Sequence, residues 1–233
     1  MLSEIWFLLR KDITLELRQK YAISGILLYV LSTVFVVYLV FVQLNPRVWN
    51  AMFWIIILFA SVNAVTKSFM QESGYRALYY YSIANPIAVI ISKIIYNTLL
   101  LGFLTLLTFG FLSLVTINPV KDMQLFLITM LLGSVGLAIT LTFISSIAVK
   151  ANNSATLMAI LSFPVVIPIL ITLIKLSAVS LRLIQDTSYG QDILSLLAID
   201  LILISVAFIL FPFVWKDKIL SEINLTGFQD LSG

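Results

Sequence analysis

The residues able to do chemistry are few, and what is missing bounds the function first. The 233-residue sequence has no His and no Cys. That excludes disulfides, thiol nucleophiles, histidine acid–base catalysis and zinc sites built from nitrogen and sulfur ligands. Among the common axial ligands of haem iron only Met and Tyr remain, so no cofactor is expected to be held by ligands of this chain. No G-x-x-x-x-G-K-[ST] run occurs, so ATP hydrolysis, if involved, belongs to a partner polypeptide. Three features are left inside apolar runs: the carboxylate Asp200, the lysine Lys93, and the pair Pro164 and Pro168. An Asp at the centre of a membrane helix costs about 2.5–3.5 kcal/mol, so Asp200 is expected to face protein or water. Its candidate partners by depth are Lys175 and Arg182; the competing role is one in transport. Lys93 lies about two turns into its run and is expected to snorkel to the cytoplasmic interface. The prolines of Phe163-Pro164-Val165-Val166-Ile167-Pro168 remove two helical donors and are expected to kink or break their helix. A moving, cavity-lining helix and a static kink both answer that description.

These residues need an apolar scaffold, and the composition supplies one. Hydrophobic residues make up 61% of the chain and charged ones 11%, with a mean hydropathy of +1.09. Soluble domains carry about 45–50% and about 25%. The expected class is an all-α integral membrane protein, a single domain over 1–233. Six segments are long enough to span, near 22–43, 49–66, 87–115, 123–149, 155–178 and 192–215, since a span needs roughly 20 residues. The third and fourth exceed that and are expected to tilt or project. Asn45-Pro46, Asn85-Pro86, Asn118-Pro119, Asn152-Asn153 and Tyr189-Gly190 mark turns. Residues 216–233 are left as a cytoplasmic tail. With the N-terminus inside, ten basic residues fall on the cytoplasmic side and four outside, which places both termini in the cytoplasm. The net charge of +3 points to no nucleic-acid partner.

Two cytoplasmic regions stand out. Residues 1–20 carry seven charges and no signal-peptide core. Leu2, Ile5, Trp6, Leu9, Ile13 and Leu17 recur at helical spacing, the pattern of an amphipathic helix in the membrane interface. A plain basic anchor or an elbow helix steering the first span would both produce it. The loop from Thr66 to Tyr81, with Gln71, Glu72, Gly74 and Arg76, is too polar to span and too aromatic for a free linker. Tyr and Arg are enriched at protein contacts, Gly74 permits a sharp turn, and Tyr79 to Tyr81 suit the headgroup level equally well. Gly133, Ser134 and Gly136 allow close helix contact in the fourth span.

Taken together, Leu15-Glu16-Leu17-Arg18, the loop Gln71-Glu72-x-Gly74, Ile91-Ser92-Lys93-Ile94 and the Phe163-to-Pro168 run resemble the CcmB family, the haem exporter B permeases of cytochrome c maturation. The resemblance covers roughly residues 8–215. It implies an ABC-transporter-permease-like subunit of the bacterial inner membrane that works with a cytoplasmic ATPase, CcmA. It further implies the haem-handling protein CcmC and the haem chaperone CcmE as partners, with haem as the handled or transported substrate and ATP acting through the ATPase. By the same resemblance, residues 67–82 would engage the ATPase, and Lys150, Asn152 and Asn153 would form a second cytoplasmic contact. The family often has several acidic residues around the loop glycine, whereas here Glu72 stands alone before a Tyr triplet. Two other functions stay open on the residues alone: a permease for a lipid, glycan or drug, and an ion-translocating subunit centred on Asp200.

Overall fold

The computed structural model describes residues 1–18, 20–40, 44–70, 85–148, 154–185 and 189–229. Every regular element among them is a helix: α1 (Leu2–Arg18), α2 (Lys20–Val40), α3 (Pro46–Met70), α4 (Pro86–Val115), α5 (Met123–Ala148), α6 (Ser154–Ser180) and α7 (Tyr189–Gln229). Five of them, α3 to α7, are long and apolar enough to cross a membrane; α2 contributes a shorter apolar run, Ser24–Val40. The chain is thus an all-α, multi-pass membrane protein. The expected tail is not a separate element. α7 continues as helix through Gln229, because the charges beyond Trp215 end a hydrophobic span without ending a helix.

The Asn-Pro steps turn the chain by one mechanism. Proline has no N–H to offer, so the side-chain oxygen of the preceding Asn accepts from the residue after it. Asn45 Oδ1 takes Arg47 N–H, Asn85 Oδ1 takes Ile87 N–H and Asn118 Oδ1 takes Val120 N–H, each at 3.0 Å. Asn85 is thereby the N-cap of α4, with Pro86 in the first turn. Asp122 caps α5 in turn, accepting from Leu125 N–H at 3.0 Å.

α5 is the central helix, packed against α3, α4, α6 and α7. Its small and hydroxylated residues make that crowding feasible. The seam with α4 is antiparallel. Asn97 Nδ2 donates to Thr142 Oγ1 at 2.8 Å, and Thr105 Oγ1 lies 3.2 Å from Ser134 Oγ. At Gly133 an added Cβ would come within 2.6 Å of the Trp54 ring, so glycine is what lets α3 and α5 touch. Around that contact Trp49 and Phe53 of α3 stack on each other and meet Phe109 of α4 edge-on and Phe126 of α5 at a tilt, with Trp54 edge-on to Phe53, ring centroids 5.1–6.5 Å apart. The indole N–H groups are satisfied within the protein. Trp49 donates to Thr116 Oγ1 at 3.0 Å and Trp54 to Ser177 Oγ at 2.9 Å. Asn50 completes this knot, with Oδ1 2.7 Å from Ser177 Oγ and Nδ2 donating to Ile174 O at 2.9 Å.

Candidate functional site

At the other end of the bundle, α1 lies along the start of α4. Asn85 N–H donates to Glu4 Oε1 at 2.8 Å across 81 residues of sequence, and Asp12 Oδ2 meets Lys93 Nζ at 3.1 Å with the same offset. Two contacts at one offset mean that the helices run parallel, side by side, for at least two turns. The four-residue spacing of Glu4, Leu8, Asp12 and Glu16 puts them on one face of α1, and Asn85, Val89 and Lys93 match it on α4. Between the polar contacts Ile5 and Leu8 pack with Ala88, Val89, Ile90 and Phe211 of α7. Lys11 Nζ approaches the other oxygen of Asp12 at 3.4 Å, and Glu16 is buried close to Tyr96.

This arrangement corrects one expectation. Lys93 does not snorkel: it is 2% exposed and paired with a carboxylate that is itself 6% exposed. A helix that brings its own counter-charge removes the reason to reach for the interface. The apolar stripe of α1, read as the face of an interfacial helix, is only partly covered by protein. Ile5 and Leu9 are buried, but Leu2, Trp6 and Ile13 are exposed, Trp6 by 68%, while the polar Asp12 and Glu16 turn inward. Leu17's side chain lies outside the described residues.

Asp200 sits on α7 against α5. It is 4% exposed. Its Oδ1 lies only 2.7 Å from where a Cβ on Gly136 would stand, and among the described residues neither of its oxygens has a hydrogen-bond partner. Neither basic residue expected as its partner bonds to it among the described residues. Lys175 pairs with Asp192 at 2.9 Å. Arg182 adopts the left-handed conformation, φ 55°, that ends α6. There Arg182 N–H reaches Val179 O and Leu183 N–H reaches Ala178 O, the two bonds of a Schellman cap.

Pro164 and Pro168 do not break their helix: α6 is continuous from Ser154 to Ser180. Both prolines face outward and are exposed, so their rings crowd no neighbouring helix. Thr172 Oγ1 donates to the Pro168 carbonyl at 2.9 Å. The neighbouring groove of ≈ 140 Å³ against α3 is lined by Phe163, Val166 and Ile167 rather than by the prolines. The other candidate residues, Gln71, Glu72, Gly74, Arg76, Lys150, Asn152 and Asn153, lie outside the described residues.

The site therefore resolves into two separate places: a clamp joining α1, α4 and α7, and a lone carboxylate between α5 and α7. The Asn50–Ser177 knot was not anticipated. The signal for it was an Asn in an aromatic run, Trp49-Asn50-Ala51-Met52-Phe53-Trp54, a polar side chain that must find a partner once inside lipid. The model of one protein family, CcmB protein, matches residues 3–218. No curated protein matches the chain.

Proposed function

The chain belongs to the CcmB family, and from that premise we propose that it works as a transducer: ATP hydrolysis in its partner ATPase shifts the inner helix ends, and that shift drives haem handling and release of the haem-loaded chaperone. Family membership makes it a multi-pass permease subunit, not itself catalytic, of the ABC-type haem export and cytochrome c maturation system, with CcmA as the ATPase partner. In our reading CcmC and CcmE complete the assembly, the membrane is the bacterial inner membrane, and both termini are cytoplasmic.

One observation carries the transducer role: α1 is fastened to the first turns of α4. Asn85, whose N–H is held by Glu4, comes three residues after 67–82, the segment we assign to ATPase docking. A displacement delivered to that segment enters α4 at its capped end. The Glu4 contact, the Asp12–Lys93 pair and the Phe211 packing then carry it to α1 and α7 together. Packed elements of this kind move as bodies between discrete arrangements. Glu72 and Arg76 supply the docking charges, with Lys150, Asn152 and Asn153 as the second contact. Pro164 and Pro168, on the outward face of α6, give the bundle a place to bend.

The test is capture of the ATPase by the full chain. Glu72→Ala combined with Arg76→Ala is expected to abolish it, and undiminished capture would refute the docking assignment. In cells, deletion of the chain is expected to remove mature c-type cytochromes while other export continues; loss of lipid, glycan or drug export instead would replace the substrate.

A further inference from the structure

Asp200 has no part in that coupling scheme, and its surroundings pose a problem of charge. Three helices pack against α7 beside α1's contact at Phe211: α4, α5 and α6. α5 carries no charged residue at all, α4 only Lys93 and α6 only Lys175. Lys93 is paired with Asp12 and Lys175 with Asp192. The α4–α5 register set by Asn97–Thr142 and Thr105–Ser134 places Gly136 opposite Phe103, which is about 15 Å along the axis from Lys93. On α7 itself Asp192 is about 12 Å away toward the outer end, and Lys216, Asp217, Lys218 and Glu222 lie about 24 Å or more toward the inner end. An ionised Asp200 would have no counter-charge within reach among these groups.

The atoms that do surround it suit a neutral acid. Gly136 leaves the space that the carboxyl fills. One turn on, Thr140 is fully buried and its Oγ1 has no partner among the described residues. Thr129 and Ser134 on the same helix return their hydroxyls to the carbonyl four residues back, each at 2.8 Å; Thr140 does not. A helical side chain leans over the turn before it, so Thr140 stands on the same stretch of α5 as Gly136, where the carboxyl sits, and the two unbonded groups are one helical turn apart. Asp200 lines neither the groove of ≈ 510 Å³ between α4 and α5 nor the smaller one between α3 and α6, so no organic ligand approaches it by those routes.

We propose that Asp200 is a proton-binding site in the α5–α7 contact, a carboxyl held neutral with the Thr140 hydroxyl as its hydrogen-bond partner. The carboxylate takes one proton from hydronium, leaving water, and the neutral O–H formed needs no counter-charge in this joint. Release of the proton requires α7 to part from α5 and admit water, so the joint is closed when loaded and open when empty. The proposal stands apart from the haem system and is read from protonation alone.

The experiment uses the full chain in lipid nanodiscs, with aspartate isotope-labelled at its side-chain carboxyl, followed by infrared spectroscopy at neutral pH. We expect a label-shifted carbonyl band of a protonated acid, its loss in Asp200→Asn, and its displacement to higher frequency in Thr140→Val. Only ionised carboxylate bands would overturn the proposal, as would an acid band that appears solely after sodium and potassium are removed, which would mark a cation site. A band unmoved by Thr140→Val overturns the assignment of that partner. Should Asp200→Asn fail to accumulate, the labelled wild type and Thr140→Val decide the matter.

Discussion

Two buried carboxylates divide this molecule by how each deals with its charge. Asp12, at the clamp, is 6% exposed and meets Lys93 at 3.1 Å; Asp200, between α5 and α7, is 4% exposed with neither oxygen bonded among the described residues. Burial alone does not distinguish them. What differs is the neighbouring helix: α4 presents a lysine about two turns from its cap, whereas α5 presents a glycine and a threonine. A paired charge fixes two elements to each other. A lone acid permits two states, joined and neutral or parted and ionised. The fold therefore places its fixed contact at the end where force would enter and its changeable contact within the bundle.

The largest effect should come from breaking the fixed one. Removing one partner of a buried ion pair leaves an uncompensated charge and costs about 3–5 kcal/mol, while replacing both by apolar residues is often neutral. Lys93→Met is accordingly expected to lower the thermal stability of the purified chain sharply, and Asp12→Leu added to it to restore most of the loss. A Lys93→Met chain as stable as wild type would show that the pair does not hold α1 to α4, and the comparison would lose its first half.

Next come the two glycines of α5, which sharpen the second half. An extra methyl forced into a packed contact costs about 1–3 kcal/mol. Gly133→Ala should stand at the upper end, because the Trp54 ring it would strike at 2.6 Å is held by its bond to Ser177 and by the surrounding aromatics. Gly136→Ala should cost less, since the atom it meets at 2.7 Å is the end of the Asp200 side chain. Adding Asp200→Ala to Gly136→Ala should recover the loss from that clash, and adding it to Gly133→Ala should not. Unfolding midpoints of the four chains decide it; equal rescue of both would mean that Asp200 does not fill the Gly136 gap.

How much of this the sequence reveals depends on which solvent does the sorting. Hydropathy finds α3 to α7, and the Asn-Pro steps mark the turns, because lipid and backbone geometry act locally. The small residues of α5 announce close packing, though not that Gly133 meets Trp54 and Gly136 meets Asp200, since those partners come from distant helices. For α1 apolar spacing reports the helix and its apolar side but not what its other side meets. Leu2, Trp6 and Ile13 are exposed, as suits a lipid-facing surface, and the inward side carries Asp12 and Glu16. The partner of Lys93 is not legible in the sequence, because it sits 81 residues away on that other side. The inner loops assigned to the ATPase rest on the family resemblance alone.

The smallest effect should come from the same chemistry placed at the rim. Lys175 and Asp192 tie α6 to α7 at 2.9 Å, closer than Asp12 and Lys93, yet the Lys175 side chain is 44% exposed. Solvent screening and side-chain entropy reduce such pairs to about 0–1 kcal/mol, and added salt reduces them further. Lys175→Met should therefore leave the unfolding midpoint almost unchanged, and the small difference should shrink as ionic strength rises, while the Lys93→Met deficit should persist at high salt. Distance predicts the opposite ranking, so the two variants measured side by side show whether burial or separation sets the strength of an ion pair in this bundle. A salt-insensitive loss at Lys175 as large as that at Lys93 would mean that the rim pair is as desolvated as the clamp, and that the outer ends of α6 and α7 are covered by something beyond this chain.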